Sequence, residues 1–469
     1  MLIRNAEVWE HGLADLRLTG GVVAEIGQLG EIPDERVIDA SGSALLPGLH
    51  DHHIHLAGLA ARASSVSCGP PEVNTADELA ERLRQPGKGW IRGILYHESV
   101  MGLPDARALD DLVADRPLRI QHRSGRMWLL NSAALSELLA KAEPPSGLER
   151  EAGQFTGRLF DEDQWLRDAL DSRPPDFTEV SATLASFGVT GVTDMSPRND
   201  PRMAEHFASQ MQSGALAQHC VLAGALSLAE AQAGPWTLGP AKLHLHEAAL
   251  PVFDDAVRFI AEAHRQDRAA AIHCVSEVEL VFALAALEEA GALPGDRIEH
   301  ASVASPELVE QMAGLSLSVC AQPHFVAERG DRYLADVEPH HHRDLYRLRS
   351  LADAGIPLAG GSDAPFASAD PWEAMAAAVS RRTRDGRIIE ADEALTPEEA
   401  LELYLAQPGD LARQRRIAVG EPADLCLLGH PWNVARKRLR SADVRATCVS
   451  GRLIHDLVDQ PPGEGMAGA

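Results

Sequence analysis

No window of this chain approaches the ~18 consecutive apolar residues that a membrane span requires. Its first residues, MLIRNAEVWEHG, lack the basic-then-apolar pattern of a secretory leader. A cytoplasmic location is therefore expected. Basic charge is scarce: 43 Lys and Arg stand against 69 Asp and Glu, a net charge of −26. So acidic a surface repels nucleic acid and anionic lipid, and neither is an expected partner. The six cysteines (Cys68, Cys220, Cys274, Cys320, Cys426 and Cys448) show no CxxC pairing. That argues against a disulfide framework or a zinc knuckle, and leaves them as small buried residues. No repeat or low-complexity block is present, and no GxGxxG follows the first strand, which removes the dinucleotide-binding fingerprint.

Hydrophobic residues make up 45% of the 469, enough for a large core. The first 46 residues alternate in short apolar bursts, "LIRNAEVW", "ADLRLTG" and "GVVAEIGQLG", separated by glycines and acidic clusters. A similar texture returns in "PADLCLLG" and "VRATCVSGRLIHD". Both ends are expected to build one small β-sandwich domain, from residues 1–46 and 415–458, with a flexible tail over 459–469.

Between them, strand-like runs alternate with helix-like ones. The strands are "GVTGVTDMS", "AKLHLHEA", "AAAIHCVSE", "DRIEHASV", "LSLSVCAQPH" and "IPLAGGSDAP". The helices are "PVFDDAVRFIAEAHRQ", "VELVFALAALEEAG", "SPELVEQMAG" and "RDLYRLRSLADAG". This alternation predicts an α/β protein, a closed (β/α)8 TIM barrel over residues 47–414. Residues 62–175 break the rhythm and carry two proline-rich joints, "CGPPEV" and "SRPPDF", so they read as an insertion after the first barrel strand.

A barrel presents its chemistry at the carboxyl ends of its strands. Polar, metal-competent residues recur there: His53 and His55 after "SALLPGL", Lys242 in "PAKLHLH", His273 in "AAAIHC", His300 in "DRIEH" and Asp363 in "IPLAGGSD". His53 and His55, two apart, share one face of an extended strand, so two imidazoles can approach one ion. Each residue alone has an ordinary explanation, as a core histidine, a turn aspartate or a strand-end lysine. Their joint recurrence in barrel order does not. Imidazole with carboxylate suits zinc and related divalent ions, and zinc lowers the pKa of bound water to about 7. His50 and His52 share the same spacing on the opposite face. Asp51 and His52 are candidates for fixing the imidazoles' orientation.

The series "PGLHDHHIH", "AKLHLH", "IHC", "RIEHA" and "GSDAP" resembles the amidohydrolase superfamily of metal-dependent hydrolases. "WIRGILYHESV", "LLNSAAL", "QFTGRLFDE", "GVTGVTDM" and "DPWEAM" are similar to its N-substituted formamide deformylase-like subgroup, amidohydrolase family 3. The resemblance implies one or two divalent ions, usually zinc. His53, His55 and Asp363 would hold one, and His273 and His300 the second. Lys242 would bridge them as a carbamate formed with CO₂. Asp363 and His300 would carry the chemistry. The chain departs from the subgroup at Gly125–Arg126, where a glycine–histidine pair is usual. It departs again at "HLHEAA" (His244, His246, Glu247) after the lysine, and at "HCVSE", which ends in Glu277.

The expected activity is hydrolysis of a C–N bond in an amide, N-acyl, N-formyl or cyclic amide substrate. Arg126, His122, Tyr96, His324 and Glu277 are candidates for substrate contact. Deamination of a cyclic base on one metal is the alternative, and ester or lactone hydrolysis would use the same site. A non-catalytic relative would have lost ligands, and this chain keeps all six positions. A small molecule is the expected partner, with a homodimer as the default assembly.

Overall fold

Short apolar runs become eight parallel strands. In the computed structural model, which describes residues 1–70, 72–84, 86–170 and 174–457, these are Leu49–Ile54, Val189–Asp194, His219–Gly224, Thr237–His244, Ala270–Cys274, Arg297–His300, Ser318–Ala321 and Leu358–Gly360. Each hydrogen-bonds to the next in chain order. The ring closes just beyond the eighth strand. The Asp363 N–H donates to the His53 carbonyl (2.6 Å), and the His55 N–H donates to that of Ala364 (2.9 Å). Gly361 permits this approach, since a Cβ there would fall 2.4 Å from that of His53. The expected barrel is present.

One barrel strand, His219–Gly224, was not among the expected ones. Its run "HCVLAG" lies between the alanine-rich stretches "SGALAQ" and "ALSLAEAQAG", which blur its ends. The helix Phe253–Arg265 buries Ala256, Ile260 and Ala263, the i, i+4, i+7 stripe of an amphipathic helix. Glu277–Ala290 begins with a capping box between Ser276 and Glu279 and stops at Gly291 in the left-handed region. The helix expected over "RDLYRLRSLADAG" is shorter, Leu348–Asp353, after a 3₁₀ turn at Pro339–Asp344. Between them Tyr346 has φ +49°. The reason is competition for the backbone. The Tyr346 N–H donates to Ser302 O (2.9 Å), and the buried Arg381 guanidinium donates to the carbonyls of Leu345 and Tyr346.

Both chain ends contribute to a separate eight-stranded sheet. Ala44–Pro47 pairs antiparallel with Leu425–Leu428. The Val23 N–H donates to Glu421 O and the Gly420 N–H to Val23 O, so the outer edge returns to the carboxyl-terminal half. The sheet wraps one core that includes Ile3, Leu16, Ile38, Leu45, Leu425 and Ala446. The barrel and this sheet together make one compact unit, Met1–Leu56 with Asp176–Ala469.

Ala57–Pro175 is a second compact unit. It holds a six-stranded sheet in the order Leu148–Glu151, Gln154–Phe160, Met127–Leu130, Leu118–His122, Ile91–Tyr96 and Val66–Ser67. Among the described residues no helix is long and apolar enough to cross a membrane. The tail over 459–469 lies outside the described residues.

Candidate metal centre

Three side chains from opposite ends of the barrel sequence meet at its closing seam. The ligand-competent atoms of His53, His55 and Asp363 all lie within 4.8 Å of one another. Asp363 Oδ1 is 3.4 Å from His53 Nε2 and 3.0 Å from His55 Nε2. Asp363 sits at φ +52°, a left-handed backbone that non-glycine residues seldom adopt.

The other nitrogen of each ring is held. His53 Nδ1 lies 2.6 Å from Glu299 Oε2. A carboxylate only accepts, so Nδ1 carries the proton and Nε2 presents its lone pair towards Asp363. Glu299 is fully buried. Burial pushes its carboxyl up, but Arg297 and Lys242 outweigh that and hold it below the usual range. Arg297 is ion-paired to Glu299 and donates to His52 O at 2.8 Å. His55 Nδ1 faces Ser196 Oγ at 3.1 Å.

His300 is oriented in the same way. Its Nδ1 is 2.6 Å from Gln322 Oε1. The Gln322 amide donates its N–H to Cys320 O, which fixes the oxygen towards the histidine. His300 Nε2 is left buried with no hydrogen-bond partner among the described residues, and so is Lys242 Nζ. An unpartnered buried polar atom costs about 1–3 kcal/mol, a cost that a bound ion would offset at both nitrogens. The His273 ring lies 4.4 Å from that of His300, and the His53 ring 4.9 Å from it. The His244 ring stacks on His273 at 4.2 Å. Burial, with Lys242 adding to it, pushes the His273 imidazole down to about 2. Burial also lowers the Lys242 ammonium. Neutral rings with free Nε2 lone pairs beside a carboxylate are the donor set that divalent ions take.

His53 with Glu299 and Cys320 forms a second group of close ligand atoms. It is not a competing centre. Glu299 is taken by Arg297 and by His53 Nδ1–H, and burial pushes the Cys320 thiol well up.

The orientation of the imidazoles corrects one expectation. Asp51 accepts the backbone N–H groups of His53 and Ser362, tying the first strand to the segment after the eighth. The His52 ring lies against that of His50, 4.5 Å away. Glu299, Ser196 and Gln322 hold the rings instead, and none was expected. The one signal for Glu299 is "RIEH", a carboxylate beside a candidate ligand histidine and two residues from an arginine.

The proposed substrate contacts are spread over both units. His324 opens the helix after the seventh strand. It is buried and donates from Nε2 to Ser362 O (2.8 Å), with Nδ1 unpartnered among the described residues. Glu277 begins the helix after the fifth strand, 3.7 Å from His341 Nε2. In the insertion unit, Arg126 is exposed and makes a two-point ion pair with Asp161 (2.8 and 2.7 Å). His122 lies 2.9 Å from Glu98 Oε2. Tyr96 is buried in that unit's core and donates its hydroxyl proton to Gly102 O. Its ring packs rather than presenting a free polar group.

Comparison with known proteins adds a family. A profile of the amidohydrolase family matches residues 36–455. The chain is 28% identical to N-substituted formamide deformylase from Arthrobacter pascens, covering 94% of each chain. It is 26% identical to the putative amidohydrolase YtcJ of Bacillus subtilis (strain 168), over 90% of this chain and 91% of that one. Among solved structures, an uncharacterized metal-dependent hydrolase from Pyrococcus horikoshii OT3 superposes with a TM-score of 0.77 at 20% identity. That match covers 91% of this chain and 97% of the other.

Proposed function

This chain belongs to the amidohydrolase family, and from that membership we propose that it is a metal-dependent hydrolase of C–N bonds in amide, N-acyl, N-formyl or cyclic amide compounds. The observation that carries the reading is the cluster of His53, His55 and Asp363 beside two orphaned nitrogens, Lys242 Nζ and His300 Nε2. His53, His55 and Asp363 would hold one divalent ion, and His273 and His300 a second. Lys242 would bridge them as a carbamate. A neutral amine bridges two cations poorly, whereas a carbamate offers two anionic oxygens. Burial of Lys242 favours the free amine, the form that combines with CO₂. Zinc fits a set of imidazoles and carboxylates.

When bound, such ions polarise a scissile carbonyl and activate water. The chain's own part is positional and protonic. Glu299 and Gln322 fix the tautomers of His53 and His300 by accepting their Nδ1–H protons. Asp363, held in a left-handed conformation at the barrel seam, accepts the proton of the attacking water and returns it to the leaving nitrogen. The relatives named for formamide deformylase and for amidohydrolase activity support this chemistry.

The test is metal analysis of the purified protein, together with amine release from a panel of N-formyl and N-acyl amines. The expected result is one to two equivalents of divalent metal and turnover that D363N or H300A lowers by roughly 10²–10⁴. Less than half an equivalent of metal, or wild-type rates in either variant, would refute the assignment.

A further inference from the structure

His244 is outside the ligand set, yet the fold places it beside that set. It lies two residues past Lys242 on the strand Thr237–His244, so strand alternation sends both side chains to the same side. Its ring lies over that of His273, with centroids 4.2 Å and planes 28° apart. The residue is exposed. Among the described residues neither of its ring nitrogens has a hydrogen-bond partner. By contrast, His53, His55 and His300 each have one nitrogen held.

An imidazole stacked on a ligand, open at the mouth and free at both nitrogens, is placed to serve an incoming molecule. We propose that His244 contacts the substrate, donating a ring N–H to an oxygen on its acyl side. The acceptor would be the carbonyl itself or a carboxylate beside it. Resting on the hydrolase reading, this makes His244 a binding contact for the acyl part of the substrate. A ring whose only task was to prop His273 would be replaceable by any aromatic ring. A donor would not.

H244F keeps a ring for the stack and removes the N–H. H244Q removes the ring and keeps a donor. Kinetics on N-formyl and N-acyl amines should show KM about tenfold higher in H244F, with kcat within about twofold and metal content unchanged. Loss of one hydrogen bond to substrate has that size. H244Q should recover part of the loss. A second readout is independent of turnover. Acetate, a carboxylate of the product class, is titrated against the cobalt-loaded protein, following the visible absorption of the metal. H244F should bind acetate several-fold more weakly than wild type. Equal acetate affinity in the two proteins, including binding by neither, overturns the inference. So does an unchanged KM in H244F. If no amine is released by wild type but acetate binding still depends on His244, the hydrolase reading fails and the contact stands.

Discussion

Asp363 and His53 are joined twice: the Asp363 backbone N–H donates to the His53 carbonyl at 2.6 Å, and Asp363 Oδ1 lies 3.4 Å from His53 Nε2. The seam that closes the barrel is therefore also one edge of the candidate metal centre. A change that opens the seam should disturb both stability and metal binding.

Gly361 tests that coupling. In G361A the new Cβ would fall 2.4 Å from the His53 Cβ and 2.6 Å from its backbone nitrogen. Neither strand can give way without breaking the seam. The expected outcome is destabilisation of about 1–3 kcal/mol in urea denaturation, with lower metal content in the folded fraction. G355A, where no atom lies within 4 Å of the new Cβ but φ is +73°, should lose stability without losing metal.

Glu299 separates orientation from ligation. E299L removes both the charge opposite the buried Arg297 and the acceptor of the His53 Nδ1–H. An uncompensated buried charge costs about 3–5 kcal/mol. If His53 is a ligand, loss of the group that aligns it should weaken metal binding by about 10–100-fold. Denaturation curves and competition with a chelator would measure the two effects. A metal affinity equal to wild type would show that His53 needs no such partner.

The pH dependence of one surface link follows from its shift. The Arg349 guanidinium, more than the helix-capping contacts with Thr396, holds the Glu399 carboxyl down at about 2, against an ordinary 4.5. A depressed carboxyl stabilises the fold above its unfolded value and loses that contribution as pH falls from about 4.5 towards 2. Both partners are about a third exposed, so the discounted contribution is about 1 kcal/mol. E399Q should therefore be less stable than wild type at neutral pH, and the gap should close in acid. Denaturant midpoints at several pH values would show a constant gap if the link is inert.

Thiol chemistry should be silent in the folded protein. All six cysteines are unpaired and buried. Burial pushes the Cys68 and Cys448 thiols up to about 12, and the remaining four also upward. Only the thiolate reacts. A disulfide-exchange reagent should label none of them quickly in buffer and all six in guanidinium. Rapid labelling of a native thiol would reveal local opening.

Much of this was legible in the residues because barrels repeat one grammar, an apolar run followed by a polar side chain at its carboxyl end. His53, Lys242, His273 and His300 could be placed on strands from that pattern alone. The third strand could not, since "HCVLAG" sits among alanine-rich neighbours that suit a helix equally well. Glu299 was hidden for a geometric reason. Strict alternation puts Glu299 and His300 on opposite faces, yet both reach the centre. The backbone turns left-handed at His300 (φ +73°) and Ala301 (φ +46°), and alternation fails there. No side-chain type announces such a turn. Arg126 and Tyr96 show the converse. Their types suit substrate contact, but Asp161, far along the chain, already engages Arg126, and Gly102, six residues on, engages Tyr96.

The pairing of Ala44–Pro47 with Leu425–Leu428 also sets an order of events at the ribosome. The strand that precedes the barrel is made early, and its neighbour only after the whole barrel has been synthesised. Until then one edge of Ala44–Pro47 stays unpaired while Leu2–Val8 holds the other, and an unpaired edge is one that chaperones can hold. Truncations that remove Leu425–Leu428 should therefore loosen the amino-terminal strands as well as the carboxyl-terminal ones.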